Sequence, residues 1–193
     1  MGAQFVIVHV GNRLNIREME ALERVARAIN ISFNRISNSV KLLLENTAGQ
    51  GTEIGYKFYQ FQTIFARVED RDRIGICLDT AHAFEAGYDL STSKGLDHLL
   101  GEFNTHIGLE KLKVLHLNDS RTRFGSRVDR HWHIGEGEIG LSGFLNIANH
   151  PALIHLPGIM ETPRKTDGDD LRNMEVMRSL IRSCNQRPQS ILD

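Results

Sequence analysis

The first run of the chain, Gln4 to Val10 (QFVIVHV), is almost free of polar residues, and the pattern then changes period. Such a β-branched run suits a strand covered on both faces, as in a parallel sheet. Behind it Met19, Leu22, Val25, Ile29, Phe33 and Ile36 step by three or four residues, the spacing of one helix face. Asn15 and Glu18 precede that face as an expected N-cap pair. The unit then recurs. Lys41–Glu45, Ile74–Asp79 and Leu112–Leu117 read as strands. Leu153–Met160 holds the last clear one, shortened by Pro157, and a weaker one falls around Arg130–Ile134. Helix faces run through Phe58, Phe61, Ile64, Phe65 and Val68, and through Leu96, Leu99, Leu100 and Phe103. Two more run through Leu141, Phe144, Leu145 and Ala148, and through Leu171, Met174, Met177 and Ile181. Alternation of this kind implies an α/β domain with right-handed crossovers, either doubly wound or a (β/α) barrel.

Composition narrows the function classes. Of 193 residues, 40% are hydrophobic and 24% charged, which excludes intrinsic disorder. No linker or repeat interrupts the pattern, so residues 1–193 are expected to form one domain. No apolar run approaches the roughly 20 residues that span a bilayer, and the first residues lack a signal-peptide pattern. Cys77 and Cys184 are too few for a disulfide framework, so a cytoplasmic protein is expected. The net charge of -1 provides no long-range positive field. Affinity for nucleic acid would have to come from local patches or bound cations. No phosphate-cradling glycine motif follows any strand, which argues against a nucleotide-binding fold.

Acids and histidines fall at the strand ends. His9 ends the first strand, Glu45 the second, Asp79 the third with His82 three residues on, and His116 the fourth. Asp129 and His131 sit around the weak segment, and Glu161 ends the last. In a parallel barrel these positions share the C-terminal face, where active sites are built. Four histidines and four carboxylates suit zinc or manganese and exceed what one tetrahedral ion needs. A cluster of two or three ions is implied, and such clusters suit phosphoester hydrolysis. Asp129-x-His131 has the two-residue period that points both side chains to one side of an extended backbone. Asp79-x-x-His82 would leave the acid on the strand while the His reaches over from a loop. Arg121, Arg123, Arg127 and Arg130 form the one dense basic patch, suited to DNA phosphates. Gly49 and Gly51 allow a tight loop, with Gln50 between them as a candidate contact to base or phosphate. His98, His106, His150 and His155 carry no such placement.

Four stretches make the chain resemble the endonuclease IV family of zinc-dependent apurinic/apyrimidinic endonucleases. They are LENTAGQG (44–51), CLDTAHAFEAGYDL (77–90), HLNDS (116–120), and FGSRVDRH (124–131) continuing to GEGEIG (135–140). METPR (160–164) fits the family's last strand. The resemblance implies a TIM barrel, here incomplete and corresponding to strands 3 to 8 of the eight. It implies up to three zinc ions, with manganese as an alternative. Glu45 would bridge the first two ions, with His9 on the first. Asp79, His116 and Glu161 would hold the second, and His82, Asp129 and His131 the third. Glu45 and Glu161 would be catalytic, and Gln50, Ser126, Arg127 and Arg130 would contact DNA. The implied activity is cleavage of double-stranded DNA on the 5′ side of an abasic site, leaving a 3′-hydroxyl. The alternatives are a truncated DNA-binding remnant without incision and a sugar isomerase or epimerase of the same barrel superfamily.

The chain departs from the family's pattern in two ways. The family's His-Pro-Gly reads His9-Val10-Gly11 here, and Trp132 stands where another His is common. The family's first two strands, and one further His ligand of the first zinc, have no counterpart. That zinc is therefore expected to be weakly held. The open edge is expected to make the chain marginal alone, or completed by another copy or a complementing segment.

Overall fold

The computed structural model describes residues 2–181. Its elements follow the expected alternation. Strand β1 is Phe5–His9, helix α1 Glu18–Arg35, β2 Lys41–Glu45, α2 Phe58–Phe65 and β3 Ile74–Asp79. A short helix α3, Thr80–Glu85, leads to α4, Ser93–His106, and β4, Leu112–His116. Then come β5, Asp119–Ser120, β6, His131–Trp132, α5, Gly140–Asn149, β7, Gly158–Ile159, and α6, Gly168–Leu180. Among the described residues β1, β2, β3, β4 and β7 form one parallel sheet in that order, an open segment of a barrel.

Three expectations fail for physical reasons. The segment near Arg130–Ile134 is no barrel strand: β6 pairs antiparallel with β5 in a separate two-stranded ribbon. The barrel segment therefore has five strands among the described residues. The last strand, Gly158–Ile159, lies inside the expected Leu153–Met160 and starts directly after Pro157, which donates no ladder hydrogen bond. Strand β1 is not covered on both faces: Val6 is 49% and Val8 37% exposed. It sits at the edge and pairs only with β2 among the described strands. The N-cap pair also fails. Arg17 is the N-cap of α1 with no side-chain cap, and Glu18 accepts a hydrogen bond from the Tyr59 hydroxyl at 2.8 Å.

Alternation along the central strands builds two layers. Leu44, Ile76, Leu78 and Leu115 face the helices and join Leu22, Ile29, Phe58, Phe61, Ile64, Phe103 and Phe144 in the main core. Each such buried side chain contributes about 1.5–3 kcal/mol of transfer free energy. Leu43, Cys77 and Val114 face the other way, with Phe5 and Ile7 against them. Side chains two residues apart share a face. One step beyond this inner layer therefore lie His9, Glu45, Asp79 and His116.

Candidate metal centre

The parallel ladder does the positioning. His9 is in register with Glu45, and Asp79 with His116. Ile159 pairs with His116, so Glu161, two residues on, comes over the same face. Asp79 also caps α3: its Oδ1 accepts from the backbone N–H of His82 at 2.9 Å. His82 is thus held on the first turn of a helix, not on a loop as the spacing suggested. All eight residues expected to ligate metal converge. His116 Nδ1 lies 2.9 Å from Glu45, 3.1 Å from Glu161 and 3.9 Å from Asp79. His9 Nε2 lies 3.4 Å from Glu45. His131 Nε2 lies 3.6 Å from Asp79 and 3.7 Å from Asp129, and His82 Nε2 lies 3.4 Å from Asp129.

Among the described residues, three sets of donor atoms are close enough to share a cation: His9, Glu45 and His82; Glu45, Asp79, His116 and Glu161; Asp79, His82 and His131. Glu45 belongs to two of them, and so do Asp79 and His82. The donor chemistry fits a borderline cation. The Nε2 atoms of His82 and His131 face each other at 3.1 Å. The Nδ1 of His82 meets the carbonyl of Asn46 at 2.9 Å, and that of His131 meets the carbonyl of Glu161 at 3.2 Å. An Nδ1–H donating to a carbonyl leaves a lone pair on each Nε2. Two such lone pairs at that distance repel unless a cation or proton lies between them.

The electrostatics favour positive charge. Burial opposes protonation of His82, but the carboxylates of Asp79, Asp129 and Glu45 outweigh it and raise its pKa to about 10. Burial likewise works against the Glu45 carboxylate, yet hydrogen bonds from His116 and His9 bring its pKa down to about 2. His9 is raised by its hydrogen bond to Glu45, and Asp129 is lowered by its contact with His82. His116 is raised by Glu45 and its acidic neighbours against the cost of burial. Glu45 and Asp79 are buried, whereas His9 and Glu161 are exposed, so the cluster opens to solvent on one side.

Several positioning residues escaped the sequence reading. The Asn46 side chain accepts from the Asp79 N–H at 2.7 Å and donates to the Asp79 carbonyl at 3.0 Å. Asn118 donates to Asp79 Oδ2 at 2.6 Å and accepts from the Glu161 N–H at 2.7 Å. Thr80 ties Asn118 down through its carbonyl at 2.7 Å. The only signal in the sequence was adjacency: these residues directly follow Glu45, Asp79 and His116 within one or two positions. Asn173, on α6, accepts from the Ile134 N–H at 2.9 Å and reaches Thr162 at 3.0 Å, a contact no local pattern announces.

The expected DNA-contact residues gather on two loops beside the cluster, where they also bind each other. Arg127 donates from Nε to the Gly49 carbonyl at 2.8 Å and lies over the Tyr56 ring at 4.3 Å. The space explains Gly49: at φ +77 an added Cβ would come within 2.7 Å of Tyr56. Gln50 accepts from the Asp129 N–H at 3.1 Å. Ser126 meets the Thr122 hydroxyl at 2.8 Å. Arg130 is exposed, and Arg121 stacks over Trp132 at 4.5 Å.

The chain resembles known proteins in both sequence and fold. The chain is 45% identical over 182 residues to a probable endonuclease 4 of Halothermothrix orenii, covering 94% of this chain and 65% of that protein. It is 42% identical over 180 residues to a probable endonuclease 4 of Chloroflexus aggregans, covering 92% and 63%. Its fold superposes on the crystal structure of endonuclease IV from Thermus thermophilus with a TM-score of 0.78 and 34% identity, over 93% of this chain and 62% of that one. The chain thus spans a little under two thirds of the length of these relatives. The family model described as xylose isomerase-like TIM barrel matches residues 1–183, and the chain belongs to that family.

Proposed function

We propose that this chain carries the metal-binding face of a DNA repair endonuclease that hydrolyses the phosphodiester bond 5′ of an abasic site in double-stranded DNA and leaves a 3′-hydroxyl. Glu45 carries the reading: one buried carboxylate lies within reach of both the His9–His82 pair and the Asp79–His116–Glu161 set. A carboxylate so shared suits two cations side by side, the arrangement used for in-line displacement at phosphorus. The names of the 45% and 42% identical relatives support the same activity.

In this reading the cations are zinc, up to three, with manganese as the alternative. His9 and Glu45 hold the first, which has the fewest protein donors and is the weakest. Glu45, Asp79, His116 and Glu161 hold the second, and His82, Asp129 and His131 the third. Bound cations supply a nucleophilic oxygen at neutral pH and offset phosphate charge. The residues do the placing. Glu45 and Glu161 act as the catalytic carboxylates, flanking His116 at 2.9 and 3.1 Å. Asp79 is fixed between the side-chain amides of Asn46 and Asn118. Arg130 meets DNA phosphate, and Arg127 does so with the guanidinium nitrogens that its Gly49 contact leaves available. Gln50 and Ser126 complete the DNA contact. Residues 1–193 act as one domain in the cytoplasm, with the β1 edge covered by a second copy or a complementing segment.

The test is incision of a duplex carrying one abasic-site analogue, with added zinc and with a chelated control. Zinc-dependent cleavage on the 5′ side is expected. Glu161→Gln should lower it by about 10²–10³-fold, as for loss of a group that acts on transition-state charge, with the melting temperature unchanged. Binding without nicking would favour the non-incising remnant. Turnover of free sugars without DNA cleavage would favour the isomerase reading.

A further inference from the structure

Two fully buried acids stand beside the cluster without belonging to any of its three donor sets: Glu85 and Asp119. Asp119 accepts from the backbone N–H groups of Gly135, Gly137, Ile139 and Gly140 at 2.9–3.2 Å, which is a loop anchor. Glu85 does something more specific. It ends α3, three residues after His82. Its Oε1 accepts from Ser120 Oγ at 2.7 Å, Thr122 Oγ1 at 3.2 Å and the Arg130 N–H at 3.1 Å. Its own carbonyl accepts from the Arg127 N–H at 3.0 Å, and that of Phe84 from the Gly125 N–H at 3.1 Å. The segment 120–130 is therefore wrapped around the end of the helix that carries His82. Arg130 lies between Asp129 and His131, the two groups that face His82.

We propose that Glu85 is the positioning residue of the His82–Asp129–His131 trio, its buried carboxylate fixing the separation between the helix that carries His82 and the segment that carries the other two. A buried carboxylate is costly unless hydrogen-bonded, and the donors that satisfy Glu85 come from the segment that bears Asp129 and His131. Glu85 is kept at 0% exposure by three donors that all belong to the facing segment, while its Oε2 has no hydrogen-bond partner among the described residues. The inference rests on the metal reading of the site and not on the nature of the substrate.

The test counts zinc retained per chain against a chromophoric chelator buffer, with hydrogen exchange of the amides in 122–130 measured on the metal-free protein. Glu85→Ala should weaken one ion by about 10–100-fold, the usual cost of removing a group that orients a ligand. That ion should be the one lost in Asp129→Ala, and the double variant should lose no more than Asp129→Ala alone. Amides of 122–130 should lose protection in Glu85→Ala. Glu85→Gln, which keeps the accepting oxygen, should restore most of the affinity. If Glu85→Ala does not fold, Thr122→Val removes one donor from the same carboxylate and should weaken the same ion to a smaller degree. Unchanged zinc affinity, or equal weakening of every ion, would overturn the proposal. A wild-type chain that takes up no zinc would overturn it together with the metal reading. Zinc uptake without DNA incision would overturn only the nuclease reading.

Discussion

Strands β3 and β1 are built from similar residues and occupy opposite surroundings. All six residues of β3 (IGICLD) are buried, whereas every residue of β1 (FVIVH) is at least partly exposed. The difference is one of neighbours. β3 has β2 and β4 on its two sides, whereas β1 pairs with β2 alone. Val6 and Val8 instead line an apolar groove of about 410 Å³ with Val25, Ile29, Phe33 and Ile36. The strand ends inherit the contrast. Asp79, at the end of β3, is 0% exposed, caps a helix and is held by two asparagines. His9, at the end of β1, is half-exposed and has Glu45 as its ion-pair partner. Burial of this kind makes a donor rigid, and rigidity is what a metal ligand needs.

Replacing the two end residues should break the comparison most sharply. Asp79→Ala removes a donor common to two of the three sets, and should cost incision more than the roughly 10–100-fold typical of an outer partner. His9→Ala should cost less, and zinc counted by elemental analysis should fall by no more than the weakest ion. Equal losses would mean that the edge strand holds its metal as firmly as the centre. Next in size is core stability. Leu78→Ala, at 1% exposure, should cost about 2–5 kcal/mol in denaturant unfolding. Val8→Ala, on the open side of β1, should cost about 0.5 kcal/mol or less.

The metal-free protein gives a pH signature of the central site. Folded His82 holds its proton up to a pKa of about 10, above its ordinary value of 6.5. The folded state therefore binds more protons than the unfolded one between those values. That contribution is fully present below pH 6.5 and is lost as pH rises toward about 10. Glu45 works at the other end, because its pKa falls from 4.5 to about 2. Its contribution is present above pH 4.5 and lost as pH falls toward 2. Thermal melting of chelated protein should thus be highest between these windows, and zinc affinity should rise with pH as the histidines release protons. A melting temperature that climbs steadily from pH 6.5 to 10 would contradict the assignment. The smallest expected effect is Val6→Lys. It should leave unfolding within about 0.5 kcal/mol while reducing aggregation seen by light scattering, because a charge blunts an open strand edge.

The two loops that carry the basic patch show what a linear reading misses. Charge and loop chemistry mark Arg127 and Gln50 as candidate DNA contacts, and in the structure both are fasteners: Arg127 to Gly49, Gln50 to the Asp129 amide. Those bonds join residues 78 and 79 positions apart, which no local pattern encodes. Similarly, Arg130–Ile134 has the composition of a strand, yet His131–Trp132 pairs with Asp119–Ser120, next to an Arg130 N–H that donates to Glu85.

The sequence by itself determined the alternation of the main strands and helices and singled out eight candidate donors near the ends of its apolar runs. Both follow from short-range facts: the period of apolar residues, and the place where each apolar run stops. The tertiary structure alone decided which of these side chains come together, because that depends on the register of parallel strands 30 to 40 residues apart. It also decided that β1 lies open, that Asn46, Asn118 and Asn173 orient the site, and that Glu85 grips the segment bearing Asp129 and His131. Each of these depends on which distant backbone arrives beside a given side chain, and the chain acquires that only when the sheet has formed.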